Sequence, residues 1–487
     1  MRTAWNKTRL IVQFVLVGGV LASCSVNPAT GQKQFTALMP AAQEASIGAQ
    51  EHQKVEAQFG KFIEGPVAAY VRQVGSRVAA NTERSDVQYQ FFVVDSPMVN
   101  AFAIPGGYIY VTRGLLTLAN NEAELAGVLA HEIGHITGRH SAARTSQGAI
   151  VGLGAAIISA AIGNSAATQL ASVGSDLYIK SYSRGQEHEA DTLGVRYLSR
   201  AGYDVNAMAS FLASLQAETA LQSRISGKEG STVPAYFSTH PLTQDRVAQA
   251  GAEAAKYPPG QANTNRDNFL TAINGLAYGD SADQGFTRGN TFYHPAMGFK
   301  FTVPAGCAIT NTPQQVIAQC RDGSIVALDA AGDSQRRDPQ TFLTQVWANG
   351  RPVNNVESIS VNGMRAATAS AEGSVNGTAM NLQLVAIEWQ AGQFFRFMIG
   401  MPRNASSATL TAMKNMTYSF NRMSASEKNT IRPSQVRVFT AGAGDTVESI
   451  ASRIPYSDYK VERIRVLNGL GPTDRFVAGQ RYKTIAE

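Results

Sequence analysis

The sequence predicts a multidomain α+β protein with a mainly helical domain and small sheet, an antiparallel α+β domain, and a small third unit. Helical spacing of apolar residues over 41–80 and a helix start at Asn120–Glu124 indicate the first domain. Short alternating runs such as FKFTVP and LQLVAIEW, between about residues 290 and 420, indicate the second. We expect a leader at 1–23, a first domain at 24–257, a linker at 258–289, a second domain at 290–423 and a third unit at 424–487.

Composition narrows the classes of function. Hydrophobic residues make up 44% of the 487 residues and charged residues 16%, which is not the makeup of a disordered chain. A net charge of +6 is too small and too spread out to indicate nucleic-acid binding. Three cysteines exclude a disulfide-dense scaffold and a Cys-rich zinc module. Five of the seven histidines lie between residues 131 and 240, where we expect the functional site.

The N-terminus has the order of an export signal. Three cations precede the apolar run Leu10–Ala22, which is too short to span a bilayer comfortably. The run ends in LASC, which resembles a bacterial lipobox with cleavage before Cys24 and lipid on its thiol. An ordinary signal peptide or short anchor is the alternative. Ser25 after the cysteine favours the outer membrane by resemblance to Gram-negative sorting signals, and residues 25–45 are predicted to be a polar tether.

The first domain is predicted to carry its chemistry on helices. Residues 87–94 and Ile104–Thr112 are predicted strands, and residues 185–200 a helix. Residues 148–163 are uncharged and rich in small and branched apolar side chains, but the segment is marginal for crossing a bilayer. We expect a buried or mobile helix near the cleft there, with contact to a membrane surface as the alternative.

The motif His131-Glu132-Ile133-Gly134-His135 is the clearest chemical signal. On a helix, residues four apart share a face, so both imidazoles can bind one metal ion. Glu132 lies beside them, where it can take a proton from an attacking water. The alternative is a solvated helix with two unused histidines.

A catalytic zinc site needs three protein ligands and one open position. His140 comes one residue too early for the third histidine of the metzincin pattern, and on a continuous helix it would point away from the metal. Glu187 and Asp191 are four apart and face one way, whereas Glu189 points elsewhere. One of the pair can bind zinc while the other orients a ligand histidine or a substrate group, and a solvated acidic face is the alternative.

Four motifs occur in order: NAFAIPGGYIYVTRGL (100–115), Glu124–His140, SRGQEHEADTLG (183–194) and STHPLTQDR (238–246). Together they resemble the gluzincin zinc metallopeptidase family of the CAAX prenyl endopeptidase, HtpX and BepA, in its soluble bacterial lipoprotein branch. The resemblance covers about residues 30–250. It implies a zincin-type endopeptidase with one Zn²⁺ per chain, bound by His131, His135 and Glu187, with Glu132 as base. Asp191 matches an acidic residue assigned as proton donor, although orientation of a ligand histidine is its expected physical role.

The resemblance also assigns roles to the flanking motifs. Asn100, Ala101 and Phe102 would form an edge strand over the metal, to which an extended peptide pairs by backbone hydrogen bonds. His240 would occupy the fourth metal position and hold the enzyme latent, or hydrogen-bond the oxyanion once its loop opens. Arg246 is the other candidate for the oxyanion. An ordinary strand entering a turn and a loop histidine capping a helix are the alternatives.

The two remaining regions carry no catalytic signal. Cys307 and Cys320 flank a hairpin-like return and are predicted to form a structural disulfide, with two unpaired buried thiols as the alternative. In the third unit, GDTVESIA, VLNGL and AGQ resemble a LysM module, a βααβ fold that binds glycans such as peptidoglycan. The ending Tyr482–Ile485 departs from that pattern, so a degenerate module used for packing is the alternative.

These observations predict a zinc metalloendopeptidase of the bacterial periplasm that degrades or processes misfolded or unassembled envelope proteins. Its expected partners are protein or peptide substrates, the outer membrane through lipid on Cys24, and peptidoglycan through the third unit, with no nucleic acid. The alternative is a largely latent, peptidoglycan-associated scaffold or assembly lipoprotein. A peptidoglycan-cleaving amidase is weaker, because the four motifs match hydrolases that act on proteins.

Overall fold

The structure, a computed structural model, divides the chain into two compact units. The first unit comprises residues up to Tyr278 together with Gln435–Ala486, and the second comprises Gly279–Ser434 with Glu487. The predicted leader at 1–23 and the apolar segment at 148–163 lie outside the described residues. Within the described part, no helix combines the length and the apolar character needed to cross a bilayer. The described residues are 24–60, 62–147, 181–226, 236, 240, 245–258, 263–375 and 377–487.

The N-terminal part of the first unit combines helices with a mixed sheet. Its strands are β1 (Cys24–Val26), β2 (Lys33–Phe35), β3 (Phe62–Ile63), β4 (Gln90–Val94), β5 (Ala101–Ile104) and β6 (Tyr108–Thr112). Its helices are α1 (Glu44–Phe59), α2 (Pro66–Ala79), α3 (Arg113–Leu118), α4 (Glu122–Thr137), α5 (Arg184–Arg200), α6 (Ala207–Ser226), α7 (Arg246–Ala254) and α8 (Arg266–Ile273). The sheet order is β3-β4-β6-β5, with β4 and β6 parallel and the other neighbours antiparallel, so β5 lies at an edge.

Helix α4 carries the histidine motif through the interior. Asn121 caps its start by accepting a hydrogen bond from the Glu124 N–H, and Glu122 and Glu124 fall in its first turn, where carboxylates favour the helix dipole. All of its residues are buried. The HEIGH motif is therefore shielded from water, which strengthens electrostatic interactions around it.

Helices α4 and α5 pack closely because small residues face each other. A Cβ added to Gly134 would lie 3.1 Å from the carbonyl oxygen of Ala190, and one added to Gly194 would lie 3.4 Å from the backbone nitrogen of His131. Ser183 starts α5 with a capping box shared with Gln186. The close packing brings the histidines of α4 within reach of the carboxylates of α5.

Two stretches fold differently from the sequence prediction. The predicted polar tether forms a β1–β2 hairpin. Ser25 in this hairpin accepts a hydrogen bond from the buried Arg139 at 3.1 Å, so the polar groups of the hairpin bind buried side chains. Helix α8 lies inside the predicted linker 258–289. Its buried side chains, Phe269, Leu270 and Ile273, form too short an apolar pattern to indicate a helix by themselves.

The second unit is rich in antiparallel sheet, as predicted. The elements are β7 (Phe286–Arg288), β8 (Thr291–His294), β9 (Phe299–Thr302), β10 (Cys307–Asn311), β11 (Val316–Cys320), β12 (Ile325–Gly332), β13 (Asn354–Val361), β14 (Met364–Val375), β15 (Thr378–Gln390), β16 (Gln393–Pro402), α9 (Ser407–Ser419), β17 (Asn421–Arg422) and α10 (Ala425–Thr430), with a short helical turn at Pro339–Thr341. One sheet has the order β10-β11-β12-β16-β15-β14-β13 and the other β17-β9-β8-β7. Phe342–Trp347 forms a short π-helix.

The C-terminal segment completes the first unit. It consists of β18 (Gln435–Thr440), α11 (Val447–Ala451), α12 (Lys460–Leu467) and β19 (Arg481–Ala486), and β18 pairs antiparallel with β19. Lys483 of β19 is fully buried. Its Nζ donates to the carbonyl oxygens of Thr117, Leu118 and Ala119 at 2.7–3.1 Å, where α3 ends. Burial lowers the pKa of Lys483, and the three carbonyls replace its lost hydration.

Replacing Lys483 with methionine is expected to destabilise the first unit by roughly 3 kcal/mol, because three buried carbonyls lose their donor. Hydrogen–deuterium exchange should show faster exchange in residues 436–486 and around α3. Lys460→Met, at a half-buried position in the same segment where Nζ donates to one described acceptor, the Ser452 carbonyl, is the control and should exchange like the wild type. Unchanged protection in Lys483→Met would contradict this docking contact.

Cys307 and Cys320 are directly opposite on β10 and β11 and are joined by a disulfide. The bond closes a loop with a sequence separation of 13, for which the chain-entropy model gives about 3 kcal/mol. We expect the Cys307→Ser/Cys320→Ser double variant to unfold at lower denaturant than the wild type, and reductant to affect only the wild type. Identical denaturation curves for the wild type with and without reductant would contradict this contribution.

Candidate metal centre

Four buried side chains converge between α4 and α5. His131, His135, Glu187 and His240 each offer one ligand atom, and these atoms lie within 4.8 Å of one another. The Nε2 atoms of His131 and His135 are 3.1 Å apart, and each lies 3.5–3.6 Å from a Glu187 oxygen. His240 Nδ1 lies 3.3 Å from His131 Nε2 and 3.0 Å from Glu187 Oε1.

These separations fit a tetrahedral zinc ion. Donors about 2.0–2.2 Å from such an ion lie about 3.3–3.6 Å from one another. Imidazole and carboxylate are among the ligands that zinc prefers. Burial lowers the pKa of His135 well below its usual value, which keeps its ring neutral as a metal ligand must be. The donor set therefore suits Zn²⁺.

Glu132 lies at the same centre. It is fully buried, and neither carboxylate oxygen has a hydrogen-bond partner among the described residues. Burial raises its pKa, because a carboxylate loses its hydration there. His240 Nε2 lies 3.4 Å from Glu132 Oε1. A buried carboxylate of raised proton affinity beside metal-ligand atoms suits a proton acceptor.

Asp191 and Arg246 support the centre from one side. Asp191 Oδ1 lies 2.9 Å from His131 Nδ1, the ring nitrogen turned away from the cluster. Arg246 donates through two nitrogens to Asp191 at 2.7 and 2.8 Å, and a third lies 2.8 Å from Glu187 Oε2. Burial opposes ionisation of Asp191, but Arg246 outweighs it and lowers the pKa of the carboxyl. The arrangement favours orientation of His131 by Asp191 over direct proton donation.

His240 fills the side of the cluster opposite α4. It is fully buried, its backbone N–H donates to the Tyr236 carbonyl at 2.7 Å, and the two rings stack at 4.6 Å. Burial opposes the charged form of His240, but Glu187 and Glu132 outweigh it and raise the pKa of the ring. The structure thus holds His240 among the ligand atoms.

The predicted substrate strand lies at the sheet edge, with its side chains turned inward. Ala101 and Phe102 of β5 are buried, and Phe102 stacks on Tyr110 at 4.7 Å. Just before β5, the Val99 carbonyl accepts a hydrogen bond from the Tyr236 N–H at 3.2 Å. The Asn100 N–H donates to the Thr112 hydroxyl at 3.0 Å, and the Thr112 N–H donates to the Asn100 carbonyl at 3.0 Å. Because the Ala101 and Phe102 side chains are buried, a peptide would contact the strand through the strand's backbone groups. Those groups lie next to the Val99 carbonyl, to which Tyr236 is hydrogen-bonded.

The prediction that His140 points away from the metal is wrong. His140 lies against a ligand histidine. Helix α4 ends at Thr137, and Arg139 adopts a left-handed conformation with φ of 54°, which turns the chain back. His140 Nδ1 then lies 2.8 Å from His135 Nδ1. The prediction assumed a continuous helix, and the Gly138-Arg139 turn ends it. Tyr182, which no motif indicated, stacks on His135 at 3.7 Å.

Comparison with known proteins supports this reading of the site. A putative beta-barrel assembly-enhancing protease of Vibrio cholerae is 35% identical over 199 residues, 39% of this chain and 40% of that protein. The beta-barrel assembly-enhancing protease of Escherichia coli K12 is 31% identical over 211 residues, 41% and 42% of the two chains. The mitochondrial metalloendopeptidase OMA1 of Schizosaccharomyces pombe is 31% identical over 182 residues, 37% and 51%.

The family match covers the part of the chain that holds the metal centre. The chain spans about half or less of the length of these curated relatives. Residues 67–254, which include every residue of the cluster, match the model of peptidase family M48, whose members depend on zinc. Over this region the chain is similar to peptidase family M48.

Proposed function

We propose that this protein is a zinc-dependent endopeptidase of the bacterial cell envelope that degrades or processes misfolded or unassembled envelope proteins. The observation that carries the proposal is the convergence of His131, His135 and Glu187 beside the buried, unpartnered carboxylate of Glu132. The family match and the similar proteases support it. The substrates are proteins or peptides.

The roles of the side chains follow from their positions. His131, His135 and Glu187 hold the zinc ion, which when bound supplies a Lewis acid that polarises the scissile carbonyl and acidifies water. Glu132 accepts the proton of the attacking water and passes it to the leaving amine. Asp191, fixed by Arg246, orients His131. Backbone groups of Asn100, Ala101 and Phe102 align an extended substrate.

The conformation described is a latent form of this enzyme. His240 occupies the fourth position beside the ligand atoms, and Tyr236 engages the chain before the edge strand. A substrate carbonyl and an attacking water would need that space. The same observation favours a second candidate function, a largely latent scaffold or assembly lipoprotein, which differs in not depending on Glu132.

Location and attachment complete the proposal. We infer a periplasmic lipoprotein, anchored to the outer membrane through lipid on Cys24. The C-terminal segment, with its β-α-α-β order, is a LysM-like module with peptidoglycan as its partner. The hydrogen bonds of Lys483 at the end of α3 support a module held beside the protease rather than on a free tether.

Glu132→Gln is expected to reduce casein cleavage by about 100-fold or more, because the amide cannot accept the proton. Zinc content by elemental analysis should remain one per chain, since Glu132 is not a ligand. Glu64→Gln, at a site 71% exposed, is the matched control and should cleave like the wild type. Retained cleavage in Glu132→Gln would overturn the assignment of the base. If the effect of the protein in the cell is lost only in variants that bind no metal, and not in Glu132→Gln, the scaffold function would be favoured.

His240→Ala is expected to raise casein cleavage severalfold, because it opens the fourth position while leaving three ligands. His294→Ala, in the second unit, is the control for loss of a histidine elsewhere. Lower cleavage in His240→Ala, with zinc retained, would instead assign His240 to transition-state stabilisation.

A further inference from the structure

The second ring nitrogen of His135 has a buried partner that the proposed mechanism does not use. A histidine that binds zinc through Nε2 carries its proton on Nδ1, and the partner of that proton sets the ring's tautomer and orientation. For His135 the partner is His140, with the two Nδ1 atoms 2.8 Å apart. Only one of the two nitrogens can hold the proton. If His135 donates, Nδ1 of His140 must be the acceptor, and the proton of His140 is on Nε2.

A carboxylate faces that second proton. His140 Nε2 lies 3.4 Å from Glu189 Oε1, an ion-pair distance rather than a short hydrogen bond. Glu189 Oε1 also accepts a hydrogen bond from the side-chain amide of Asn27. His140 and Asn27 are both buried, whereas the Glu189 side chain is 23% exposed. Each hydrogen bond or ion pair from His135 through His140 to Glu189 thus joins one proton donor to one acceptor. With its proton on Nδ1, His135 directs the lone pair of Nε2 at the cluster.

Asn27 is itself held rigidly. It lies in the turn between β1 and β2, where its backbone N–H donates to the Gln32 carbonyl at 2.7 Å. Its side-chain oxygen accepts from the Ala29 and Thr30 N–H groups at 2.9 and 3.2 Å. The Ala29 carbonyl accepts from Arg196 of α5 at 3.1 Å. Because the oxygen is engaged, the amide nitrogen must face Glu189.

We propose that Asn27, Glu189 and His140 form a positioning relay that fixes the ring and tautomer of His135, so that the N-terminal hairpin is part of the metal centre. The relay rests on the proposed zinc site. It gives the second histidine ligand an arrangement parallel to that of the first. His131 contacts the carboxylate of Asp191 directly, and His135 reaches the carboxylate of Glu189 through His140. Both carboxylates come from α5.

The test measures zinc affinity of the full chain by competition with a chromophoric chelator. His140→Leu removes the acceptor for His135 and is expected to weaken zinc binding by about 10- to 100-fold. His140→Gln keeps an acceptor oxygen and should recover part of the loss. His188→Leu, on α5 and outside the relay, is the matched control and should bind like the wild type. The Co²⁺-loaded proteins should show an altered visible spectrum in His140→Leu and a wild-type spectrum in His188→Leu.

The outer members are tested by a double-mutant cycle. Glu189→Gln and Asn27→Ala are each expected to weaken zinc binding severalfold, and the double variant should be no weaker than Glu189→Gln alone, because Asn27 acts through Glu189. If His140→Leu does not fold, this cycle tests the relay instead. Glu189 is partly exposed, so its replacement by glutamine should be tolerated by the fold.

The outcomes separate the relay from the function on which it rests. Zinc affinity within twofold of wild type in His140→Leu and in Glu189→Gln would overturn the relay while leaving the zinc site intact. Additive losses in the cycle would overturn the role of Asn27. A wild-type chain that binds no zinc would overturn both the proposed function and the relay.

Discussion

The close packing of α4 against α5 is the constraint on which the site depends. A Cβ on Gly134 would be crowded by the Ala190 backbone and one on Gly194 would touch the His131 backbone, so His131 and His135 on one helix meet Glu187 and Asp191 on the other. If α4 and α5 were further apart, the two histidines would be out of reach of the carboxylates. The same packing buries the whole motif, and burial makes every charge at the site depend on a partner.

Those partners are arranged around the ligand atoms. Arg246 balances Asp191 and Glu187, and the imidazole of His240 lies between Glu187 and Glu132. Neither carboxylate oxygen of Glu132 has a hydrogen bond to a described residue, although His240 Nε2 lies 3.4 Å from Oε1, and this suits a group that must exchange protons rather than hold a neighbour in place. The network fixes the ligand side chains relative to one another, which favours a preorganised site.

Helical spacing predicts that His131 and His135 share one face of α4 and that Glu187 and Asp191 share one face of α5, and the family resemblance then predicts which carboxylate binds the metal. His140 could not, since its position depends on the left-handed Arg139 after the helix ends. The hairpin at β1–β2 was missed because buried polar partners such as Asn27 and Ser25 look like solvated residues. Lys483 contacts α3 across more than 360 positions, and no local pattern indicates so distant a partner.

The most direct test of the central claim is X-ray absorption at the zinc edge of the full chain, wild type and His240→Ala. The account predicts nitrogen and oxygen ligands at about 2.0–2.2 Å, with imidazole scattering from three rings in the wild type and from two in the variant. Zinc bound without imidazole scattering, or a variant spectrum that has lost every histidine, would contradict a centre built on His131, His135 and Glu187.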